Sequence, residues 1–207
     1  MVVARASQHG GTASMQSQAS TAVAPSRHIF GHAMEGLLRV LGPEPTDEDL
    51  RVLHRLGMSL DALEVTYPLE AHLALLDHLV QSRWAQLPGD EGYAALGRAT
   101  VEAYEGTLMG RVLLQMLRVL GPERVLYRLT KTFRSTNNYT ETQVREVGPR
   151  HFEVWINVAL RPGFVRGLLE QGLCFAGAHG VRVGQMVGRD GCAVYYVRWD
   201  APEPLPA

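Results

Sequence analysis

From His28 to Arg134 the apolar positions recur every three to four residues; beyond Ser135 the period drops to two. Between His28 and Leu41, the residues Ile29, Met34, Leu37, Leu38 and Leu41 share one broad face, and Gly42-Pro43 ends the run. The spacing predicts a helix there. Thr46 followed by Asp49 is a capping-box pair, with Asp where Glu or Gln is usual. The helix it opens carries Leu50, Leu53 and Leu56 and stops at Gly57. Pro68 suits the first turn of a helix bearing Leu69, Leu73, Leu76, Leu79, Val80 and Trp84. Pro88-Gly89-Asp90 breaks the chain, and a long pattern follows from Glu91 to Leu120. Gly97, Gly106 and Gly110 interrupt it, each costing about 1 kcal/mol relative to Ala in a helix interior. Such a cost predicts close packing against a neighbour or a break near Gly106. One more helix starts at Pro122 and runs to Arg134.

Tyr139–Val147 mixes Tyr, Thr and Val with charge, as a half-exposed strand does, and Gly148-Pro149-Arg150 is a turn. His151–Val158 alternates: Phe152, Val154, Ile156 and Val158 face one way, and His151, Glu153, Trp155 and Asn157 the other. A helix opens at Arg161-Pro162 and runs to about Ala176, its glycines suited to close packing against a sheet. Val181–Val187 and Cys192–Trp199 are two strands around the turn Gly188-Arg189-Asp190-Gly191. The fold class is therefore α+β. A helical half over 27–134, with about five to six helices, precedes a β-β-α-β-β half over 135–200, read as an antiparallel sheet with a helix on one face. Residues 27–200 form a single domain, residues 1–26 read as a disordered arm, and 201–207 as a flexible tail. The segment Leu-Arg-Val-Leu-Gly-Pro-Glu occurs at 38–44 and at 117–123, but the flanks do not align. It is a helix end, a Gly stop and a Pro start, used twice.

Composition narrows the function by exclusion. The net charge of −1 lacks the basic excess of a dedicated nucleic-acid binder. No apolar run approaches the roughly 18 residues of a membrane span. Cys174 and Cys192 are the only cysteines, too few for a disulfide framework, and whether they pair is left open by their spacing. Free thiols in a reducing cytoplasm are the expectation. There is no Gly-x-Ser-x-Gly elbow and no Gly-Lys-Ser or Gly-Lys-Thr phosphate loop, so no catalytic residue is assigned.

Three groups are candidates for binding. Arg124, Arg128, Lys131 and Arg134 recur at helical spacing and lead into Asn137, Asn138 and Tyr139, whose side chains can hydrogen-bond a polar ligand. That combination suits an anion or an acidic partner, and equally a solvated helix face with cations near its C-terminus. Trp155, Tyr195 and Trp199 are expected on one sheet face, packed on the helical half, lining a pocket or forming an interface. His28, His32 and Glu35 fall on one face if the first helix starts at His28, yet they do not form the His-Glu-x-x-His pattern, and no metal site is assigned. His72 and His78, six apart, do not share a helix face.

Several segments together resemble an uncharacterised family of myxobacterial proteins, a domain of unknown function. They are Glu35-Gly36-Leu37-Leu38-Arg39, Glu105-Gly106-Thr107-Leu108-Met109-Gly110-Arg111 and Phe133-Arg134-Ser135-Thr136-Asn137-Asn138-Tyr139, followed by Gly163-Phe164-Val165-Arg166-Gly167 and Tyr196-Val197-Arg198-Trp199. The resemblance covers roughly residues 29–199. That family is distantly similar to the haem-nitric-oxide-binding and 4-vinyl-reductase-like folds, which include TRAPP subunits. The similarity implies a ligand-binding or assembly domain. Haem-binding relatives use a helix histidine before the first strand and a Tyr-x-Ser-x-Arg signature. Here Pro122–Arg134 holds no histidine, and the corresponding stretch reads Trp155-Ile156-Asn157-Val158-Ala159. The cofactor is thus unknown, with haem disfavoured, and zinc-binding cysteines are missing.

The expectation is a non-enzymatic cytoplasmic regulatory or sensory domain in signalling, binding a small molecule or a protein partner, without nucleic acid or membrane. The alternatives are a homodimeric assembly protein of TRAPP-like type, and a sensor holding haem or another cofactor through a histidine such as His72 or His78.

Overall fold

The computed structural model describes residues 26–201. Apart from Ser26 and Ala201, the expected arm and tail lie outside the described residues.

The chain starts extended, where a helix was expected. Strand β1 (His28–Phe30) pairs antiparallel with β2 (Thr66–Pro68), and helix α1 (Gly31–Arg39) begins only at Gly31. Tertiary partners decide this. Asn138 Oδ1 accepts from the His28 N–H at 2.8 Å, and the Phe30 N–H donates to the Thr136 carbonyl at 2.8 Å. Backbone groups that would have been the orphan donors of a helix start are satisfied from a distant loop instead. Helix α1 then buries Met34, Leu37 and Leu38.

Helix α2 (Asp47–Arg55) opens on the expected capping box: Asp49 N–H donates to Thr46 Oγ1 at 3.2 Å, and Thr46 N–H donates to Asp49 Oδ2 at 2.9 Å. Helix α3 (Leu69–Arg83) and helix α4 (Asp90–Tyr104) follow. The long apolar pattern breaks at residues 105–107, and Thr107 caps α5 (Leu108–Leu120) by accepting from Gly110 N–H at 2.8 Å. The segment from Pro122 is two short helices rather than one, α6 (Pro122–Tyr127) and α7 (Leu129–Arg134). Arg128 between them has ψ near 3°, outside the helical well, so the regular spacing of Arg124, Arg128, Lys131 and Arg134 is interrupted. Among the described residues, seven helices precede the sheet.

The second half comprises β3 (Thr142–Gly148), β4 (His151–Ile156), α8 (Pro162–Phe175), β5 (Arg182–Val187) and β6 (Ala193–Arg198). The sheet order is β3-β4-β6-β5, antiparallel throughout. Phe152, Val154, Ile156, Tyr195 and Val197 bury one face under α8, with Phe152 and Trp199 stacked at 5.3 Å. The register Val154↔Tyr195 and Trp155↔Val194 puts Trp155 on the opposite face from Tyr195. The expected aromatic trio is therefore split. Tyr195 and Trp199 are core, and Trp155 stands half-buried on the outer face.

Two hydrophobic cores result, one between sheet, α6 and α8, the other among α1, α3 and their neighbours. Helix α8 belongs to both: Leu169 and Leu173 enter the first, Phe164 the second. It reaches the helical half by crossing α4 closely. A Cβ on Gly97 would lie 2.3 Å from the Phe164 carbonyl oxygen, and one on Gly167 would lie 2.1 Å from that of Ala94. Gly163 and Gly167 of α8 thus serve contact with α4, not the helix–sheet contact expected from the sequence.

Candidate functional site

The two cores do not close completely. Between them lies a cavity of about 270 Å³. Its walls are Ala33 and Leu37 from α1, Leu69, Leu73 and Leu76 from α3, Val101 and Tyr104 from α4, Leu113 and Leu117 from α5, and Phe164, Val165 and Leu168 from α8. Each of these faces inward because its helix presents an apolar stripe to the seam. The lining is overwhelmingly apolar, with a few polar groups.

Several of those polar groups are already engaged, although the Tyr104 hydroxyl is buried without a hydrogen-bond partner. The hydroxyls of Thr100 and Thr136 donate to the carbonyls of Leu96 and Phe133, each at 2.8 Å. Asn137 Oδ1 accepts from Tyr139 N–H at 3.1 Å and Thr140 N–H at 2.8 Å, a local turn. Arg161 is the one charged side chain in the lining, and its guanidinium donates to both carboxylate oxygens of Asp77 at 2.7 and 2.5 Å. Arg161 holds the Asp77 carboxyl below its usual range.

His72, on α3, differs. It is enclosed by protein yet keeps part of its surface free where it borders the cavity. Its Nδ1 lies 3.3 Å from Met34 Sδ, and its ring meets Phe164 edge-on at 6.0 Å. Burial without a counter-charge pushes its pKa down to about 4. The unfolded chain takes up a proton below about 6.5 while the folded chain does not, so stability falls as pH drops through that window. Between pH 7.5 and pH 4.5 the loss from this residue is expected to be roughly 2–3 kcal/mol. Chemical denaturation of wild type and His72→Phe across that range should show a shallower decline in the variant.

The sequence-selected residues are dispersed. Asn137 and Tyr139 border the cavity, and burial pushes the Tyr139 phenol up to about 12. Asn138 ties β1 to the loop, its Nδ2 donating to the Ser26 carbonyl at 2.9 Å. Arg134 pairs with Glu141 at 2.7 Å on the surface. Arg124, Arg128 and Lys131 are exposed and do not line the cavity. Trp155 is on the outer sheet face, near Cys192. Cys174 and Cys192 are both free. His78 is engaged by Asp49 at 2.6 Å. Among the described residues no three His, Cys, Asp or Glu side chains gather as a metal site, and no helix is long and apolar enough to cross a membrane.

A family model described as "Protein of unknown function (DUF2378)" matches residues 27–200. The chain belongs to that family. No curated protein matches the sequence. Solved structures do match the shape of this DUF2378 member. An H-NOX protein from S. oneidensis in the Fe(II) ligation state superposes with a TM-score of 0.65 at 9% identity, over 86% of this chain and 100% of that one. A variant of the Tt H-NOX gives 0.57 at 12% identity, over 86% and 99%. A mutant of the K. algicida H-NOX, Fe(II) and unliganded, gives 0.53 at 13%, over 84% and 98%. At such identities the likeness shows the fold alone. It is the fold that the resemblance to haem-nitric-oxide-binding domains implied.

The residues of this DUF2378 cavity do not fit a haem. A volume of about 270 Å³ lies just below the range of drug-sized ligand pockets, and a porphyrin is larger. Arg161, the one charged side chain of the lining, is committed to Asp77 and leaves no free cation for propionates there. The segment before the sheet, Pro122–Arg134, places Leu126 in the first core and holds no histidine.

Proposed function

We propose that this protein is a non-catalytic regulatory domain that takes a small, mostly apolar molecule into the cavity between its helical half and its sheet. The observation that carries the reading is the apolar volume at the junction of two otherwise well-packed cores, since protein interiors leave few voids larger than a water. The regulatory part rests on α5. Leu113 and Leu117 line the cavity, whereas Leu108 and Val119 on the same helix are 72% and 84% exposed. Only Gly110 and Leu114 of this helix are buried. A thin wall, apolar on both sides, transmits a push from inside to the surface stripe.

Leu117→Trp fills the cavity from this wall. It is expected to weaken binding of 1-naphthol at least about tenfold while costing about 1–3 kcal/mol in stability, because α5 has room to shift outward. Isothermal titration calorimetry on both proteins checks the first and urea denaturation the second. Equal binding by wild type and variant would place the ligand elsewhere and refute the reading. Native mass spectrometry of protein purified without additives identifies what the cell itself supplies.

A further inference from the structure

Resting on that reading, the polar lining specifies the ligand further. A thioether accepts hydrogen bonds and has none to give. The 3.3 Å contact between His72 Nδ1 and Met34 Sδ therefore assigns the ring proton to Nδ1. Nε2 is then a bare lone pair with no hydrogen bond among the described residues, and it is not sealed off from the cavity. Two contacts hold the ring in place, Met34 on one nitrogen and the Phe164 ring at its side. From α3 the imidazole enters a lining formed by Leu69, Leu73, Leu76 and Phe164.

A ligand that supplies a donor gives this acceptor a direct hydrogen bond in apolar surroundings, where such a bond is strongest. The same lining rejects anions. A carboxylate would face the Nε2 lone pair, Arg161 is held in a two-point pair by Asp77, and the unpartnered Tyr104 hydroxyl in the same lining is a neutral donor at most. We infer that the cavity takes an uncharged, compact hydrophobic molecule bearing one hydroxyl or N–H donor, with His72 Nε2 as the acceptor that selects it. The class is that of phenols, cyclic alcohols and indole-like compounds. Carboxylates and donor-free hydrocarbons are discriminated against. His72 acts here as a specificity residue.

The test uses the whole chain and four probes of one shape: 1-naphthol, 1-methoxynaphthalene, 1-methylnaphthalene and 1-naphthoate, each titrated calorimetrically at neutral pH. Wild type is expected to prefer 1-naphthol over the methyl and methoxy compounds by roughly 3- to 10-fold, the value of one net hydrogen bond. The naphthoate should bind weakest. His72→Phe should abolish the preference and leave 1-methylnaphthalene affinity within about twofold, whereas His72→Gln, which keeps an acceptor, should restore part of it. Equal affinity of wild type for naphthol and methylnaphthalene overturns the role of His72 while leaving the cavity reading intact. So does a preference that survives in His72→Phe. Absence of binding by every uncharged probe overturns both. If His72→Phe does not fold, the hydroxyl-against-methoxy comparison in wild type decides alone, because the methoxy oxygen has no proton to donate.

Discussion

Asp49→Ala is expected to destabilise the protein by about 3–5 kcal/mol, the usual result of breaking a buried ion pair from one side. Asp49 is 1% exposed. Arg83 donates to it at 3.0 and 3.3 Å, His78 contacts it at 2.6 Å, and Thr46 donates through its N–H and its hydroxyl at 2.9 and 2.8 Å. Burial alone would raise its pKa, but the hydrogen bonds from Arg83, His78 and Thr46 outweigh that and hold the carboxyl well below the usual range. The sign follows: the stabilisation is present above the unfolded value near 3.8 and is lost as pH falls below it. Removing the carboxylate strips the cap of α2 and leaves the Arg83 guanidinium, which also donates to the Leu41 carbonyl at 3.3 Å, without its counter-ion. Urea denaturation at neutral pH measures the effect as a midpoint shift. Asp49→Asn, which keeps the shape and part of the hydrogen bonding, should fall between wild type and Asp49→Ala. A loss under about 1 kcal/mol for Asp49→Ala would mean the group behaves as a surface pair.

Gly167→Val should cost about 4 kcal/mol, above the usual range for overpacking. Its Cβ would stand 2.1 Å from the Ala94 carbonyl oxygen and 2.9 Å from the Arg98 nitrogen. Both belong to the α4 backbone and cannot rotate aside as a side-chain tip would. The two helices must separate, and with them the cores that α8 joins. Gly172, on the same helix, is the control: its Cβ would meet nothing within 4 Å. Gly172→Ala should be neutral or stabilising by up to about 1 kcal/mol, as relief of helix-interior glycine predicts. Thermal unfolding of the two variants beside wild type separates the cases. Equal melting temperatures for Gly167→Val and Gly172→Ala would contradict the close crossing.

Legibility in the sequence differed from element to element. The capping box at Thr46 and Asp49, the alternation of β4 and the Asp-Gly turn before β6 are short-range patterns, and each forms as spaced. The start of α1 was not legible, because Asn138, more than a hundred residues away, captures the backbone of β1. Strand β2 is a three-residue piece with no alternation to detect. The cavity was only faintly legible. His72 lies among Leu69, Leu73 and Leu76 on the apolar face of α3, and a histidine in such a stripe is a signal, but spacing alone offered it only as a candidate cofactor ligand equal to His78. Tyr104 and Phe164 carried no signal at all, since an aromatic residue on an apolar face reads as core.

By itself the sequence determined the class of object: a helical half, a β-β-α-β-β half, and neither a nucleophile elbow nor a phosphate loop. Those features rest on local periodicity, capping and turn chemistry, which act over a few residues. Only the tertiary structure decided that α8 crosses α4 at backbone contact, that Trp155 turns away from Tyr195, and that the two cores leave an apolar chamber with His72 at its wall. Sheet register, helix crossing and an unfilled volume are properties of how distant segments meet, and no single segment's pattern encodes where its partner stops.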